Sequence, residues 1–423
     1  MNAKVHIGTP TDTPAMPSPQ TTALPGKMRS LIILLLCEIG AMAVWFSSVS
    51  VVATIKRTQS IPALDQALLT SSVQFGFVAG TVISALLSLA DRYDPRRLFM
   101  VSALVAAAAT GLLALMPPVG PAVFLLRFVT GMCMAGVYPV GMRLAVTWAQ
   151  RDMGLLIGLL VGGLTFGSAS PHLLAALGGI DWRAIYATAA ACAALSGICI
   201  LFCGLGPNMA RSSRIDFNYM AQAWRNPAIR LANLGYLGHM WELYAMWAWL
   251  AAFLAASFAA AGMGRADHFA SLWTFAAIAI GAIGAGGGGW LADRFGRTTL
   301  TIAAMATSAC CAVLIAFLFG LTPWLVVPVA LAWGISVIAD SAQFSASVAE
   351  LGDASMTGTL LTVQTCAGFL LTLASIHLVP EMVAWAGWRA GFCMLAIGPA
   401  LGCVAMYRLR LRPEAMRLAN GKR

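Results

Sequence analysis

The sequence is poor in charged side chains, which make up only 10% of its 423 residues. A soluble domain normally carries about 25% charged residues, so this chain has too few to cover a surface that faces water. The shortage excludes a cytosolic enzyme, a nucleic-acid-binding protein and a disordered scaffold. The mean hydropathy of +0.81 indicates instead a protein that is embedded in a lipid bilayer.

Two kinds of site are also missing from the sequence. None of the ten cysteines stands in a two-residue spacing that is paired with a second such spacing, so we assign no disulfide and no metal site. The chain has no phosphate-binding G-x-x-x-x-G-K-[ST] loop and no loop long enough to contain a nucleotide-binding domain. We therefore expect no cofactor, and any transport has to run on solute and ion gradients.

Apolar runs of about 20 residues dominate the rest of the chain, and each is long enough to cross a ~30 Å hydrocarbon core as a helix. They follow a polar segment, residues 1–29, whose five prolines predict a disordered tail. Helices are expected because backbone groups in lipid must form hydrogen bonds within their own segment. The twelve predicted spans are residues 30–54, 67–90, 97–117, 121–143, 153–176, 183–206, 228–257, 268–292, 298–319, 323–345, 357–379 and 386–408.

Lysine and arginine are distributed unevenly between the connections. If the N-terminus is cytoplasmic, the segments on that side hold 20 of the 26 basic residues and the outer loops hold five. This bias predicts that both termini are cytoplasmic in a cell (inner) membrane, and it accounts for the net charge of +10 without a nucleic-acid partner. The linker at residues 207–227 separates six-span units at 30–206 and 228–408, and residues 409–423 form a basic cytoplasmic tail.

The two units also repeat each other in sequence. Leu-Ala-Asp-Arg at residues 89–92 recurs at 291–294, and Trp-Arg-Ala at residues 182–184 recurs at 388–390. Each pair occupies the same place in its half of the chain. We therefore predict two related six-helix bundles.

These features resemble the Major Facilitator Superfamily of secondary transporters. Its most specific motif, roughly G-x-L-A-D-R-x-G-R-[KR], follows the second helix of each half; residues 289–297 match it closely, whereas the first copy has Leu87 and Asp94 at the glycine positions. The resemblance implies an all-α membrane protein with twelve transmembrane helices, arranged as two pseudo-symmetric bundles that rock about a central cavity, and it implies a functional monomer.

The same resemblance implies that the motif loops latch the cytoplasmic side. The predicted gate residues are Asp91, Arg92, Arg96, Arg143, Gly289, Asp293, Arg294, Gly296 and Arg297. A carboxylate at a helix end can cap a neighbouring helix or pair with arginine, and Arg143 is the expected partner of Asp91. The alternative interpretation is an ordinary solvated turn at the lipid headgroups.

Four charged side chains lie well inside predicted spans, away from the span ends, where each costs about 2.5 to 3.5 kcal/mol on an insertion scale. They are Glu38, Arg127, Glu242 and Asp340, on helices one, four, seven and ten, which line the cavity in the superfamily. Helical spacing extends the predicted substrate and proton cavity to four more residues, although an aromatic residue on a membrane helix more often serves packing. These are Trp45, Tyr138, His239 and Trp249.

The four charges suggest different roles. Glu242 is the leading proton carrier and Glu38 the second, because burial favours the neutral form of a carboxyl group and so allows it to take up a proton. Arg127 either binds a carboxylate of the solute or pairs with one of the acids. Asp340 lies nearer the predicted cytoplasmic side and is a candidate gate residue.

The sequence thus predicts a proton-coupled carrier of a small organic solute that works by alternating access, with sodium as the alternative coupling ion. An efflux antiporter for amphipathic or toxic compounds would share every residue above and differ in direction. A receptor on the same scaffold would bind the solute without moving it. An intramembrane enzyme would need a nucleophile with a base, or clustered histidines and acids, and the sequence offers neither.

Overall fold

The fold of the chain is helical throughout the part that the structure describes. A computed structural model describes residues 25–55, 61–149, 153–177, 181–208, 220–353 and 357–423. Within these ranges, eleven helical stretches are long and apolar enough to cross a membrane. The predicted all-α membrane class is confirmed, and the twelve-span arrangement in two bundles stays a prediction.

The first half contains nine helices within the described ranges. They are α1 (Lys27–Met42), α2 (Ser47–Ile55), α3 (Ala63–Leu86), α4 (Leu89–Arg92), α5 (Pro95–Leu113), α6 (Pro121–Met134), α7 (Tyr138–Thr147), α8 (Met153–Ala176) and α9 (Trp182–Cys199), with a 3₁₀ turn at Ile200–Phe202. Helix α1 thus begins three residues before the first predicted span, within the predicted tail. The rest of that tail, residues 1–24, and residues 209–219 of the predicted linker lie outside the described residues.

The second half also has nine helices in the part of the chain that the structure describes. They are α10 (Gln222–Arg225), α11 (Pro227–Ala260), α12 (Ala266–Ala279), α13 (Gly281–Phe295), α14 (Arg297–Phe317), α15 (Pro323–Ala339), α16 (Ser341–Leu351), α17 (Thr357–Cys393) and α18 (Ile397–Arg410). Two 3₁₀ segments, Met394–Ala396 and Pro413–Gly421, flank α18.

The eleventh candidate span, Thr357–Arg410, is 54 residues long and contains both of the last two predicted spans. A single crossing needs only about 20 residues. The backbone leaves the helical conformation inside this stretch at Ala386 and Gly387. Gly387 has φ +79°, which glycine adopts without a steric penalty, so the chain changes direction there between two helices.

Several predicted spans are interrupted midway. The first breaks at residues 43–46 between α1 and α2, the fourth at residues 135–137 between α6 and α7, and the tenth at Asp340 between α15 and α16. Pro139 at the start of α7 explains the second break, because proline lacks an N–H and its ring clashes with the carbonyl group four residues earlier. Breaks of this kind free backbone carbonyl groups that need other partners inside a membrane.

The helices pack both within and between the halves. Helix α3 packs on α6 and α5 on α9, while α11 packs on α17 and α18. Across the halves, α8 contacts α12 and α13, and α3 contacts α17. The approach of α3 to α6 depends on glycine, because a Cβ atom at Gly131 would lie 2.0 Å from the carbonyl oxygen of Val73.

The segment that follows α18 is folded onto the second half. Its 3₁₀ turn, Pro413–Gly421, buries Ala415 and Leu418 completely. The Arg417 guanidinium donates a hydrogen bond to the Leu351 carbonyl at 3.0 Å, and the backbone N–H of Ala419 donates one to the Glu350 carboxylate at 3.1 Å. The predicted basic tail at residues 409–423 therefore packs against α16.

Candidate functional site

Arg127 is fully buried on α6, and its side chain donates hydrogen bonds to backbone carbonyls at the break in the first predicted span. Its guanidinium donates to the carbonyl of Val44 at 2.8 Å, to the carbonyl of Trp45, and from Nε to the carbonyl of Leu69 at 3.2 Å. The first two carbonyls belong to the break between α1 and α2. One of the two roles expected for Arg127 was pairing with an acid. The described residues show no such pair, because the hydrogen bonds of Arg127 go to carbonyl groups and to the Ser47 hydroxyl at 3.4 Å.

Glu38 is a completely buried carboxyl group on α1. Neither of its oxygens has a hydrogen-bond partner in the described structure. A Cβ at Gly141 on α7 would lie 2.5 Å from Oε2 of Glu38, and one at Gly163 on α8 would lie 3.8 Å from Cβ of Glu38. The carboxyl group thus sits against Gly141, and Gly163 lies beside the stem of the same side chain; neither glycine offers it a polar side chain.

Glu242 on α11 is equally buried but fully hydrogen-bonded. The indole N–H of Trp333 on α15 donates to Oε1 at 2.8 Å, and the Ser308 hydroxyl on α14 donates to Oε2 at 2.6 Å. Hydrogen bonds to a carboxylate stabilise its charged form. Ser308 was not among the predicted site residues, because a single serine in an apolar run carries no sequence signal.

His239 lies one helical turn before Glu242, as its spacing predicts, but its partner is Asp340. Nδ1 of His239 lies 3.0 Å from Oδ1 of Asp340, and both side chains are 1% exposed. Asp340 occupies the break in the tenth predicted span. The contact therefore joins α11 to that break, and it separates His239 from the hydrogen-bonded pair of Glu242 and Trp333.

An aromatic cluster joins the two halves in the middle of the molecule. Trp45 and Phe77 of the first half lie 5.9 and 4.4 Å, between ring centroids, from Phe369 on α17. Tyr244 on α11 lies 5.0 Å from Phe369 and 6.2 Å from Trp45. The complete aromatic cluster consists of Trp45, Phe46, Phe77, Tyr244, Trp247 and Phe369. The cluster includes the predicted cavity residue Trp45. Tyr138, also a predicted cavity residue, lies outside the cluster and is half-buried on α7.

A cavity of about 350 Å³ lies between the halves, with walls from α2, α3, α11, α12 and α17. The predicted cavity residue Trp249 lines it, and its indole N–H donates to the Ile376 carbonyl at 2.9 Å. Helices α3, α11 and α17 each carry cavity residues and residues of the aromatic cluster. On all three helices, the cavity residues lie nearer to one end of the molecule than the cluster residues do, and it is the same end each time. The cavity therefore lies on one side of the aromatic cluster.

Three polar residues of α3 were missed by the sequence analysis. Gln66 and Thr70 line the cavity, and Gln74 follows one turn further along the same helix. The spacing of four residues places them on one face. A repeated polar residue at this spacing inside an apolar run is the signal that identifies them.

The second motif loop is held by charged contacts. Arg297 forms a bidentate pair with Glu350 on α16, with distances of 2.8 and 2.6 Å, and it donates to Oε1 of Gln343 at 2.6 Å. Asp293 is 66% exposed and lies 4.0 Å from Arg297. Gly296 has φ +97°, and a Cβ there would lie 1.8 Å from the carbonyl oxygen of Arg423.

The other two predicted gate residues of this copy contribute less. The Arg294 guanidinium lies 5.4 Å from the ring of Trp290, which is itself exposed. Gly289 is half-buried within α13. The structure therefore brings Arg297 into a partly buried network and leaves Arg294 at the surface of the loop.

The first motif loop departs from the pattern in a way that the structure explains. Asp94, at a glycine position, caps α5 by accepting a hydrogen bond from the backbone N–H of Arg96 at 2.9 Å, and Pro95 starts the helix. Hydrogen bonds from the Arg96 side chain lower the pKa of the Asp94 carboxyl group below its ordinary value. Arg96 also donates to the Cys203 carbonyl at 3.2 Å.

The predicted pair of Asp91 and Arg143 stays a prediction. The side chain of Asp91 lies outside the described part of the structure, although its backbone belongs to α4. Arg143 lies on α7, and Arg92 is exposed.

Comparison with known proteins agrees with this architecture. The sequence model of the Major Facilitator Superfamily matches residues 34–376, most of the chain. The chain belongs to the Major Facilitator Superfamily. It is accordingly a multi-pass membrane transporter rather than an enzyme.

Solved structures share the fold of this chain. A point mutant of the nucleoside transporter NupG matches with a TM-score of 0.68 and 16% identity, over 90% of this chain and 99% of its own. The unmutated NupG structure matches with a TM-score of 0.67 and 16% identity, over 92% of this chain and 100% of its own. No curated protein sequence matches significantly. At this identity the likeness to NupG shows the fold alone.

Proposed function

We propose that this superfamily member couples the movement of a small organic solute to the movement of protons, by alternating access between its two halves. The observation that carries the proposal is the Glu38 carboxyl group, which is buried without a hydrogen-bond donor for either oxygen in the described structure. A buried carboxylate without donors is costly, whereas the neutral acid costs much less. Glu38 is therefore suited to hold a proton while it is closed off and to release it when water reaches it.

The contacts favour Glu38 over Glu242 as the proton carrier. Both carboxylate oxygens of Glu242 accept hydrogen bonds, so this side chain and its donors stay paired without a change in protonation. Tyr138 on α7 and Cys37 on its own helix are titratable side chains near enough to Glu38 to interact with it electrostatically. Arg127, the buried cation of the same half, is engaged by carbonyl groups, and we therefore assign it no solute.

The cavity lining suggests the charge of the solute. Asp267 is the charged member of the lining that the structure describes, on its exposed rim, and no lysine or arginine is among these described lining residues. An anionic solute would lose its hydration there without gaining a partner. We therefore propose an uncharged solute. Nucleosides are the first compounds to test, since both solved structures of similar fold are described as a nucleoside transporter.

We also propose a monomer in the inner membrane with both termini cytoplasmic. The bias of lysine and arginine toward one set of connections supports this orientation. In this orientation the cavity opens to the outside, and the aromatic cluster separates it from the cytoplasm. This state is suited to collecting solute for uptake.

The experiment follows proton movement in liposomes that contain the purified protein and a pH-sensitive dye. Addition of a nucleoside mixture outside at pH 5.5 is expected to acidify an interior at pH 7.5, and a protonophore is expected to abolish the dependence on solute. Glu38→Gln is expected to keep solute exchange while solute-driven acidification falls to background, because glutamine carries no proton. Glu381→Gln, at an exposed glutamate, is the matched control and is expected to behave as the wild type.

Two results would contradict the proposal. Solute uptake that is independent of the pH gradient but follows a sodium gradient would replace the proton by sodium. Solute-driven acidification that is undiminished in Glu38→Gln but lost in Glu242→Gln would return the proton to Glu242. A thermal-shift screen at pH 5.5 and 7.5 identifies solutes outside the nucleosides, because a ligand of the native state raises the melting temperature.

A further inference from the structure

We propose that Gln74 is the specificity-determining residue of this transporter and that it recognises an uncharged, planar solute through an edge that carries both a hydrogen-bond donor and an acceptor. Amides, lactams and nucleobases have such an edge. The inference rests on the proposed transport of a small organic solute and names the chemistry of that solute.

The Gln74 side chain is completely buried, and neither its amide nitrogen nor its amide oxygen has a partner in the described structure. Buried polar groups in folded proteins are hydrogen-bonded in the great majority of cases, so an amide that lacks all partners needs an explanation. The other glutamines buried to the same degree have partners: Gln343 accepts from Arg297, and Gln364 donates to Asn233. Gln74 is therefore the exception among the buried glutamines that the structure describes.

The position of Gln74 places it on the solute pathway. It shares a face of α3 with Thr70, which lines the cavity, and with Phe77 of the aromatic cluster. Ser71, three residues before it, hydrogen-bonds His377 of α17 at 3.0 Å. The Gln74 amide thus lies between the cavity and the aromatic cluster, on the face of α3 that meets the second half.

The aromatic cluster, which follows Gln74 along α3, suits a flat solute. The rings of Trp45 and Phe77 lie 5.0 Å apart, and Phe369 of the other half lies 4.4 Å from Phe77, so the cluster presents aromatic rings from both halves. The Trp45 indole N–H is buried without an acceptor and offers a second donor. A primary amide presents N–H donors and a carbonyl acceptor in one plane, which matches a donor and acceptor edge with two parallel hydrogen bonds.

The test compares two pairs of probes that differ at this edge. Uridine is paired with 3-methyluridine, and benzamide with N,N-dimethylbenzamide; in each pair methyl groups replace the N–H. Binding to the full chain in detergent is measured by calorimetry for the wild type, Gln74→Met and Gln222→Met. The last variant makes the same change at an exposed glutamine and is the control.

We expect at least one unmethylated probe to bind the wild type more tightly than its methylated partner, by about 10- to 100-fold, the value of one or two buried hydrogen bonds. Gln74→Met is expected to abolish this difference, and Gln222→Met to preserve it. Gln74→Met is also expected to melt at or above the wild-type temperature, since it removes a buried amide that satisfies nothing in the empty protein. A structural role for Gln74 would lower the melting temperature instead.

Three outcomes would overturn the inference. They would not decide the proposed transport function, which the proton-flux assay tests separately. The three outcomes are equal binding of methylated and unmethylated probes, wild-type selectivity in Gln74→Met, and no binding of any probe at millimolar concentration. If Gln74→Met does not fold, Gln74→Asn retains the amide but shortens its reach, and unchanged selectivity in that variant would also refute the inference. The proton-flux assay uses a broader set of solutes, so its failure is a separate result.

Discussion

Replacing Arg127 by leucine separates a structural role of this buried cation from a role in binding solute. The guanidinium supplies hydrogen bonds to the carbonyls of Val44, Trp45 and Leu69. Each carbonyl left buried without a donor costs about 1–3 kcal/mol, and removal of a buried charge returns part of that cost. A net loss of about 3–5 kcal/mol, as found when a buried charged network loses one partner, is the expected result.

The assay is thermal unfolding in detergent. At roughly 1–2 °C per kcal/mol for a chain longer than 250 residues, Arg127→Leu is expected to lower the melting temperature by roughly 3–10 °C. Arg127→Lys keeps the charge but not the planar set of donors, so its loss is expected to be smaller. The exposed Arg389 supplies the control, Arg389→Leu. A wild-type melting temperature for Arg127→Leu, together with lost binding of a carboxylate solute, would refute the structural role and make Arg127 the solute anchor.

Two further substitutions test the second half. Trp333→Phe removes the N–H group that donates to Glu242, and it is expected to lower the free energy of unfolding by about 1–3 kcal/mol. The same change at the 84% exposed Trp324 is the control and is expected to have no effect. Equal melting temperatures of Trp333→Phe and the wild type would contradict the importance of this hydrogen bond. Gly296→Ala introduces a Cβ into the backbone of the C-terminal segment at an unfavourable positive φ. Faster hydrogen exchange over residues 413–423 is expected there, whereas Gly286→Ala, which meets nothing within 4 Å, is expected to exchange as the wild type.

The helical spans were predictable because the solvent dictates them. Apolar runs of span length become helices in lipid whatever they later contact, and the ends of α3 and α5 fall within about four residues of the predicted spans. Pro139 gives a local signal for the break before α7. The break at residues 43–46 has no such signal, since it contains neither proline nor glycine. Its freed carbonyls are satisfied by Arg127, which lies more than eighty residues away in sequence.

The site could be predicted as a set of residues but not as a set of contacts. The cost of charge in a membrane identified Glu38, Arg127, Glu242 and Asp340 without any structure. Helical spacing places His239 on the face of Glu242, yet His239 meets Asp340 across the helix interface. Pairings of this kind depend on the rotation and depth of each helix, which tertiary packing decides. Residues on one helix can be grouped by their spacing alone, whereas partners on different helices cannot.

The position of the aromatic cluster has a spectroscopic consequence. Trp45 and Trp247 are 2% and 0% exposed, and each has rings of the opposite half as neighbours. Any motion that parts the halves changes the polarity around these two indoles and the quenching that they experience. If the halves part as the proposed alternating access requires, these two indoles are built-in fluorescent probes of that motion, and a time-resolved emission record can follow it without an attached dye.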